Sequence, residues 1–297
     1  MKERIPLEHF QNPLIILGMH RSGTSLLSRF IDEIGYFTGM DKQRDNESLF
    51  FLNINSWILN QYNASWDNVH NYKFSNEYMD KHILEAVKER LKSRAINKYI
   101  GSSNIFKQNN IDNSDQVKWG WKDPRNSVTL DVWQKIFKKP KIIHIYRNPI
   151  DVYLSLKYRE EKHKESFKIG RKANLKKRFF YGKVGYQASP RVEVAQESFS
   201  LWKDYTSSIY DYEKKGETPF FHVKYEDFLN NPRSVMKSIA DYLNVFVEEE
   251  IYNKFENKVN SDNKYKFINN KEHVEFYKKI KDDPLMVQLG YNNLLNQ

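Results

Sequence analysis

The sequence predicts an α/β protein built on a parallel sheet flanked by helices. Three observations lead there: short apolar runs of strand length, helical periodicity between them, and glycine or proline at the joins. Leu14 to Leu17, bounded by Pro13 and Gly18, has the unbroken apolar character of a strand buried on both faces. A helix is expected from about Thr24 to Ile34, with Gly35 as its stop. Ser48 to Asn60 and Glu77 to Ile96 carry helical periodicity, and the Asn- and Ser-rich stretch from Gly101 to Gln116 reads as a loop. Lys141 to Tyr146 is a second buried strand, ended by Arg147 and Pro149. A helix over Glu197 to Tyr212 would hold Trp202 and Tyr205 in its core. Thr218 to Tyr225 is a third strand, and Pro232 opens the helix after it. There is no internal repeat and no composition shift, so residues 1–297 are expected to form one domain, with an insertion or flexible cover over Lys157 to Pro190.

The composition narrows the function classes. Aromatic residues make up 15% of the chain, which excludes a low-hydrophobicity disordered protein. With no cysteine there is no disulfide, no thiolate nucleophile and no zinc site built on cysteine spacing. The first thirteen residues are mixed and charged, and the longest early apolar run falls far short of the ~20 residues of a membrane span. A cytoplasmic protein is expected. The net charge is +10, and Lys157 to Lys183 alone holds eleven basic and three acidic residues. Such a run is commonly a solvated face. It could also draw in an anionic partner, and Phe179, Phe180 and Tyr181 after it raise a nucleic-acid reading that no recognised binding signature supports.

The first chemical signal is Gly18-Met19-His20-Arg21-Ser22-Gly23-Thr24-Ser25, which leaves a strand and enters a helix. Backbone N–H groups and the helix dipole make this junction an anion cradle. Its spacing is P-loop-like, but Thr24 stands where a nucleotide-hydrolysing P-loop has its lysine, and the nearest cation is Arg21. That lysine normally offsets charge on the β- and γ-phosphates, so this loop suits a less charged group. An ordinary strand-to-helix turn is the alternative.

The second signal is Arg147, at the end of a predicted parallel strand, where open α/β sheets bind ligands. Pro149 starts a helix on which Ser155 and Arg159, four residues apart, share a face. Two guanidinium groups and a hydroxyl suit a phosphate dianion. Pairing of Arg147 and Arg159 with Asp151 and Glu160 is the plainer alternative.

Together these segments resemble the sulfotransferases that use 3′-phosphoadenosine 5′-phosphosulfate (PAPS). In that family an Arg/Lys-Ser-Gly-Thr-Thr/Ser loop holds the 5′-phosphosulfate, and an arginine followed by a serine eight residues later holds the 3′-phosphate. Arg21, Ser22, Gly23, Thr24 and Ser25 match the first, and Arg147 and Ser155 the second. Arg159 matches a second arginine of the tyrosylprotein-type branch. Trp121-Lys122-Asp123-Pro124-Arg125 is similar to that branch's Lys-Asp-Pro element, whose lysine faces the transferred group. Val223-Lys224-Tyr225-Glu226-Asp227 is similar to a Tyr-Glu element near the nucleoside. The resemblance covers about Leu14 to Pro232, with four motifs in order, and implies the sulfotransferase fold.

The resemblance implies transfer of a sulfuryl group from PAPS to an acceptor hydroxyl, with no divalent metal needed. Lys122 and Arg21 would stabilise charge on the leaving 5′-phosphate. Arg147 and Ser155 would reject ATP, which lacks a 3′-phosphate. A general base must take the acceptor's proton. Glu47, in the turn opening the next helix, is the candidate, with Asp41 and Asp45 as competitors and a helix-start charge as the plain reading of Glu47. Many bacterial relatives carry their glutamate a few residues later, where this chain has Leu52. His20 reads as a turn residue that could also reach a ligand. Tyr225 reads equally as core. A P-loop kinase is the rival reading, opposed by Thr24. The acceptor is expected to be a carbohydrate or glycolipid, with an anionic glycan suiting the basic segment. Nucleic acid is not expected as a partner.

Overall fold

The computed structural model describes residues 12–101, 118–168, 189–216, 218–259 and 264–296. In chain order the elements are β1 (Leu14–Leu17), α1 (Thr24–Glu33), α2 (Leu49–Gln61), α3 (Glu77–Lys92), α4 (Asn97–Ile100), β2 (Gly120–Lys122), α5 (Asn126–Ile136), β3 (Lys141–Tyr146) and α6 (Pro149–Lys168). They continue with α7 (Ala195–Lys215), β4 (Phe220–Lys224), α8 (Tyr225–Asn230), α9 (Pro232–Leu243), α10 (Glu249–Glu256), α11 (Lys271–Ile280) and α12 (Pro284–Gln288). Two compact units divide the chain: the described parts of Met1–Arg147 with Asp204–Lys264, and those of Asn148–Lys203 with Tyr265–Gln297.

The first unit holds a sheet of order β2-β1-β3-β4, parallel throughout. Ile15 of β1 lies between Trp121 and Ile142, and His144 of β3 is in register with His222 of β4. All four residues of β1 are fully buried, as the unbroken apolar run requires. On one face α1 brings Leu27, Phe30 and Ile31 into a core with Ile143, Ile145, Phe228 and Met236. A second core is aromatic: Phe51 of α2 stacks on Trp121 at 4.1 Å and meets Trp133 edge-on. Each such pair contributes about 0.5–1.5 kcal/mol beyond its buried area.

Because the strands are parallel, their C-terminal ends share one edge, where ligands bind in open α/β sheets. The loop at Gly18, the turn at Asp123, Arg147 and Tyr225 each follow directly on a strand and so gather at that edge.

In the second unit Asn148 starts α6, its Oδ1 accepting from the N–H groups of Ile150 (2.8 Å) and Asp151 (3.2 Å). Tyr277 of α11 is buried against Phe267, and its hydroxyl accepts from Leu294 N–H. Asp283 caps α12 and pairs with Lys203 at 3.0 Å.

The α/β expectation holds, and β1 and β3 have the expected bounds. Three details differ. The helix expected to reach Ile96 stops at Lys92, because Ser93 turns extended and its hydroxyl bridges Arg90 O and Ala95 N in a new 3₁₀ turn. Tyr225 opens α8 instead of ending the strand, with Glu226 and Asp227 favouring that helix start. Strand β2, only three residues long, falls below what apolar periodicity can reveal. Lys157 to Lys168 continue α6, whereas 169–188, most of the expected cover, and 102–117, most of the expected loop, lie outside the described residues. No described helix is long and apolar enough to cross a membrane.

Candidate active site

The loop between β1 and α1 is shaped by three residues with positive φ: Gly18 (144°), Arg21 (67°) and Gly23 (95°). A Cβ on Gly18 would lie 2.1 Å from Ile145 O, and one on Gly23 would lie 2.2 Å from the Tyr225 ring. Both glycines are therefore needed for the backbone to pass, beyond their φ angles. Gly18 N–H donates to Ser127 Oγ at 3.0 Å. Ser22 Oγ is fully buried and finds no hydrogen-bond partner among the described residues. A buried hydroxyl of this kind needs a partner, and an anion's oxygen would supply one. The loop thus fits a bound phosphosulfate.

Arg147 reaches this same loop. Its Nη1 donates to Arg21 O at 3.2 Å, and its guanidinium lies 4.7 Å from the centre of the Tyr225 ring, which itself covers Gly23. The structure thus brings Arg147, Tyr225 and the loop together, while the Arg21 side chain is exposed. In the second unit, Ser155 and Arg159 lie on α6 as expected, and Arg159 Nη2 donates to Glu160 at 3.2 Å, the plainer pairing.

Beside the loop lies a buried ion pair. Lys122, last in β2, is 1% exposed and its Nζ stands 3.2 Å from Glu47 Oε1; Glu47 is 8% exposed. Lys122 also donates to Asp45 O, the carbonyl that accepts from Ser25 Oγ at 2.7 Å. One carbonyl thus fastens the Glu47 turn both to the first turn of α1 and to the lysine. Ser48 then caps α2, and Asp41 reinforces that start by accepting from Ser48 Oγ (2.9 Å) and Phe50 N–H (2.7 Å). Of the three acids weighed from sequence, Asp41 serves the helix start, Asp45 contributes its carbonyl, and Glu47 faces the lysine.

Burial pushes the Glu47 carboxyl above its usual value, against the pull of Lys122. Burial likewise draws the Lys122 ammonium below its usual value, against the pull of Glu47. Arg125 stands 3.8 Å from Glu47 and 2.9 Å from Asp123. Burial lowers its affinity for the proton, but Asp123 and Glu47 outweigh that and hold the guanidinium charged.

Behind the pair is a polar network that sequence reading missed. Asn55 Nδ2 donates to Asp123 Oδ2 (2.9 Å) and Asn126 Oδ1 (2.8 Å), and Asn55 Oδ1 accepts from Thr129 (2.8 Å) and Trp133 (2.9 Å). Asn126 Nδ2 donates to Ile16 O at 3.1 Å, tying the network to β1. The available signal was Asn55, the one amide on the buried face of α2, among Phe50, Phe51, Ile54, Ile58 and Leu59. His20, 7% exposed, packs edge-on against Trp66 (5.0 Å) and Tyr205 (5.9 Å), and Tyr205 donates to Trp66 O. Tyr205 is fully buried, as read from sequence, and Arg125 is among the charges acting on it.

The profile of the sulfotransferase family matches residues 13–249, and the chain belongs to that family. It is a PAPS-dependent sulfotransferase. Among solved structures it is similar to sulfotransferase STF9 from Mycobacterium avium (14% identity, 92% of this chain and 76% of that one, TM-score 0.46). It is also similar to the sulfotransferase domain from the curacin biosynthetic pathway (17% identity, 81% and 76%, TM-score 0.42). A third likeness is to sulfotransferase STF1 from Mycobacterium tuberculosis (12% identity, 84% and 72%, TM-score 0.43). No curated protein sequence matches the chain.

Proposed function

We propose that this sulfotransferase transfers the sulfuryl group in line to a hydroxyl of a carbohydrate or glycolipid, in the cytoplasm, with Glu47 as general base. The observation that carries the reading is the buried Glu47–Lys122 pair fastened to the first turn of α1 through Asp45 O. PAPS, when bound, supplies the activated sulfuryl group. Ser22, Gly23, Thr24 and Ser25 would hold its 5′ end through the loop's N–H groups and the Ser22 hydroxyl, with Arg21 as the nearby cation. Arg147, Ser155 and Arg159 carry the family's 3′-phosphate motif, and Tyr225, packed on Gly23, would adjoin the nucleoside.

Glu47 Oε would accept the acceptor's proton, for which its raised proton affinity suits it. Lys122 Nζ holds a positive charge where negative charge develops, in a site sheltered from water. Arg125 would keep Glu47 in place.

Thermal stabilisation by adenosine 3′,5′-bisphosphate against that by ADP–Mg²⁺ tests the reading. At a hundred times its Kd a ligand adds about 2.7 kcal/mol. The bisphosphate should stabilise strongly, and Arg147→Ala should remove the effect. Preference for ADP–Mg²⁺ would sink the assignment. PAPS turnover against a panel of glycans, glycolipids, peptides and small alcohols tests the acceptor class.

A further inference from the structure

The first unit holds a cavity of about 650 Å³ at the edge of the sheet opposite the phosphate loop. Its walls include Lys138, just ahead of β3, and Lys215, at the end of α7 just ahead of β4. In a parallel sheet these positions mark the N-terminal strand edge, whereas the phosphate loop follows the C-terminal end of β1. Its volume suits a small organic ligand and exceeds what a single inorganic anion would fill.

Its chemistry is mixed in a particular way. Four lysines line it: Lys73, Lys135, Lys138 and Lys215. Two sit near carboxylates, Lys73 at 3.7 Å from Asp204 and Lys135 at 3.6 Å from Asp80. Lys138 and Lys215 are exposed and form no ion pair among the described residues. Deeper groups are acceptors: Tyr72 donates to Asp131 Oδ1 at 2.7 Å and Tyr212 to Val128 O, leaving phenol lone pairs for a ligand. Asp131 is half-buried, desolvation raising its carboxyl above the usual range, and Asp211 is exposed at the wall. A bare polyanion would meet two carboxylates here. A molecule with hydroxyls to donate and an ester anion to reach the lysines would satisfy both sets of groups.

We propose that this cavity binds a saccharide carrying a sulfate or phosphate ester, at a site separate from the transfer site. The hydroxyls face Asp211, Asp131 and the tyrosine oxygens, and the ester faces Lys138 and Lys215. The inference does not depend on which hydroxyl compound is the acceptor.

Calorimetric titration of the whole protein tests it, with glucose 6-sulfate, glucose 6-phosphate, glucose and inorganic sulfate as probes, with and without saturating adenosine 3′,5′-bisphosphate. One equivalent of an ester should bind in either case, and the tighter ester identifies the source. Glucose and sulfate should each bind about tenfold or more weakly. Lys138→Glu with Lys215→Glu should weaken ester binding about tenfold or more, and added salt should weaken it too. Asp211→Ala, a second exposed change, should weaken ester binding without weakening that of inorganic sulfate, which is freed of a repelling charge. PAPS turnover and stabilisation by the bisphosphate should survive every variant, which separates this test from that of the transfer site. Ester binding that ignores the lysine changes, inorganic sulfate binding as tightly as the esters, or esters displaced by the bisphosphate would each overturn the proposal.

Discussion

Glu47 sits in the turn just ahead of the helix α2 and Asn55 in the body of that helix, and both are buried, yet their surroundings differ in kind. Asn55 uses both amide hydrogens and accepts two further bonds, each between 2.8 and 2.9 Å. Glu47 has a lysine at 3.2 Å and an arginine at 3.8 Å, and burial keeps its proton affinity high. A fully bonded amide fixes geometry and has nothing left to react with. A carboxylate held among cations it only partly satisfies can still take a proton. The comparison separates scaffold from chemistry across one helix and the turn that leads into it: the amide orients Asp123, Asp123 orients Arg125, and Arg125 faces the glutamate.

The sharpest way to break that distinction is Glu47→Gln. Turnover should fall by about 10²–10⁴-fold, the usual reach of general base catalysis. Binding of adenosine 3′,5′-bisphosphate, followed by thermal shift, should persist. Full activity in this variant would move the base elsewhere.

Asn55→Leu attacks the other side. It leaves the Asp123 carboxylate, Asn126, Thr129 and Trp133 short of a partner at once, and should destabilise by about 2–5 kcal/mol in denaturant unfolding. An unchanged midpoint would show that the network is not holding the turn.

The smallest effect lies in the pH profile. A glutamate with raised proton affinity becomes a base only above its ordinary 4.5, so the acid limb of kcat/KM should lie above that value. Lys122, with lowered proton affinity, loses its charge below its ordinary 10.5, so the alkaline limb should lie below that value. The two limbs belong to the pair jointly. Glu47→Gln should erase the acid limb in its residual activity; an acid limb that stays put would assign it to another group.

Much of this was legible along the chain. The loop from Gly18 to Ser25 is contiguous, and its glycines announce the tight turn, while the close approach of Ile145 and Tyr225 appears only in the fold. The apolar runs of β1 and β3 marked a buried parallel sheet, and the Gly18 loop and Arg147 each followed one of them. Other parts were not legible, for physical reasons. Strand β2 is too short for a periodicity, and its place is set by pairing with β1. The Asn55 network joins groups 68 to 78 residues apart, and the wall of His20, Trp66 and Tyr205 spans still more chain.

Local order alone therefore determined that β1, β3 and most of β4 form strands, where an anion cradle stands, and which family's motifs the chain carries. Only the folded chain decided that Glu47, and neither Asp41 nor Asp45, turns its carboxylate to Lys122, and that Arg147 braces the loop itself. The reason is that backbone conformation and turn chemistry act between near neighbours. Burial, and the proton affinity it sets, depends on everything the tertiary packing brings around a side chain.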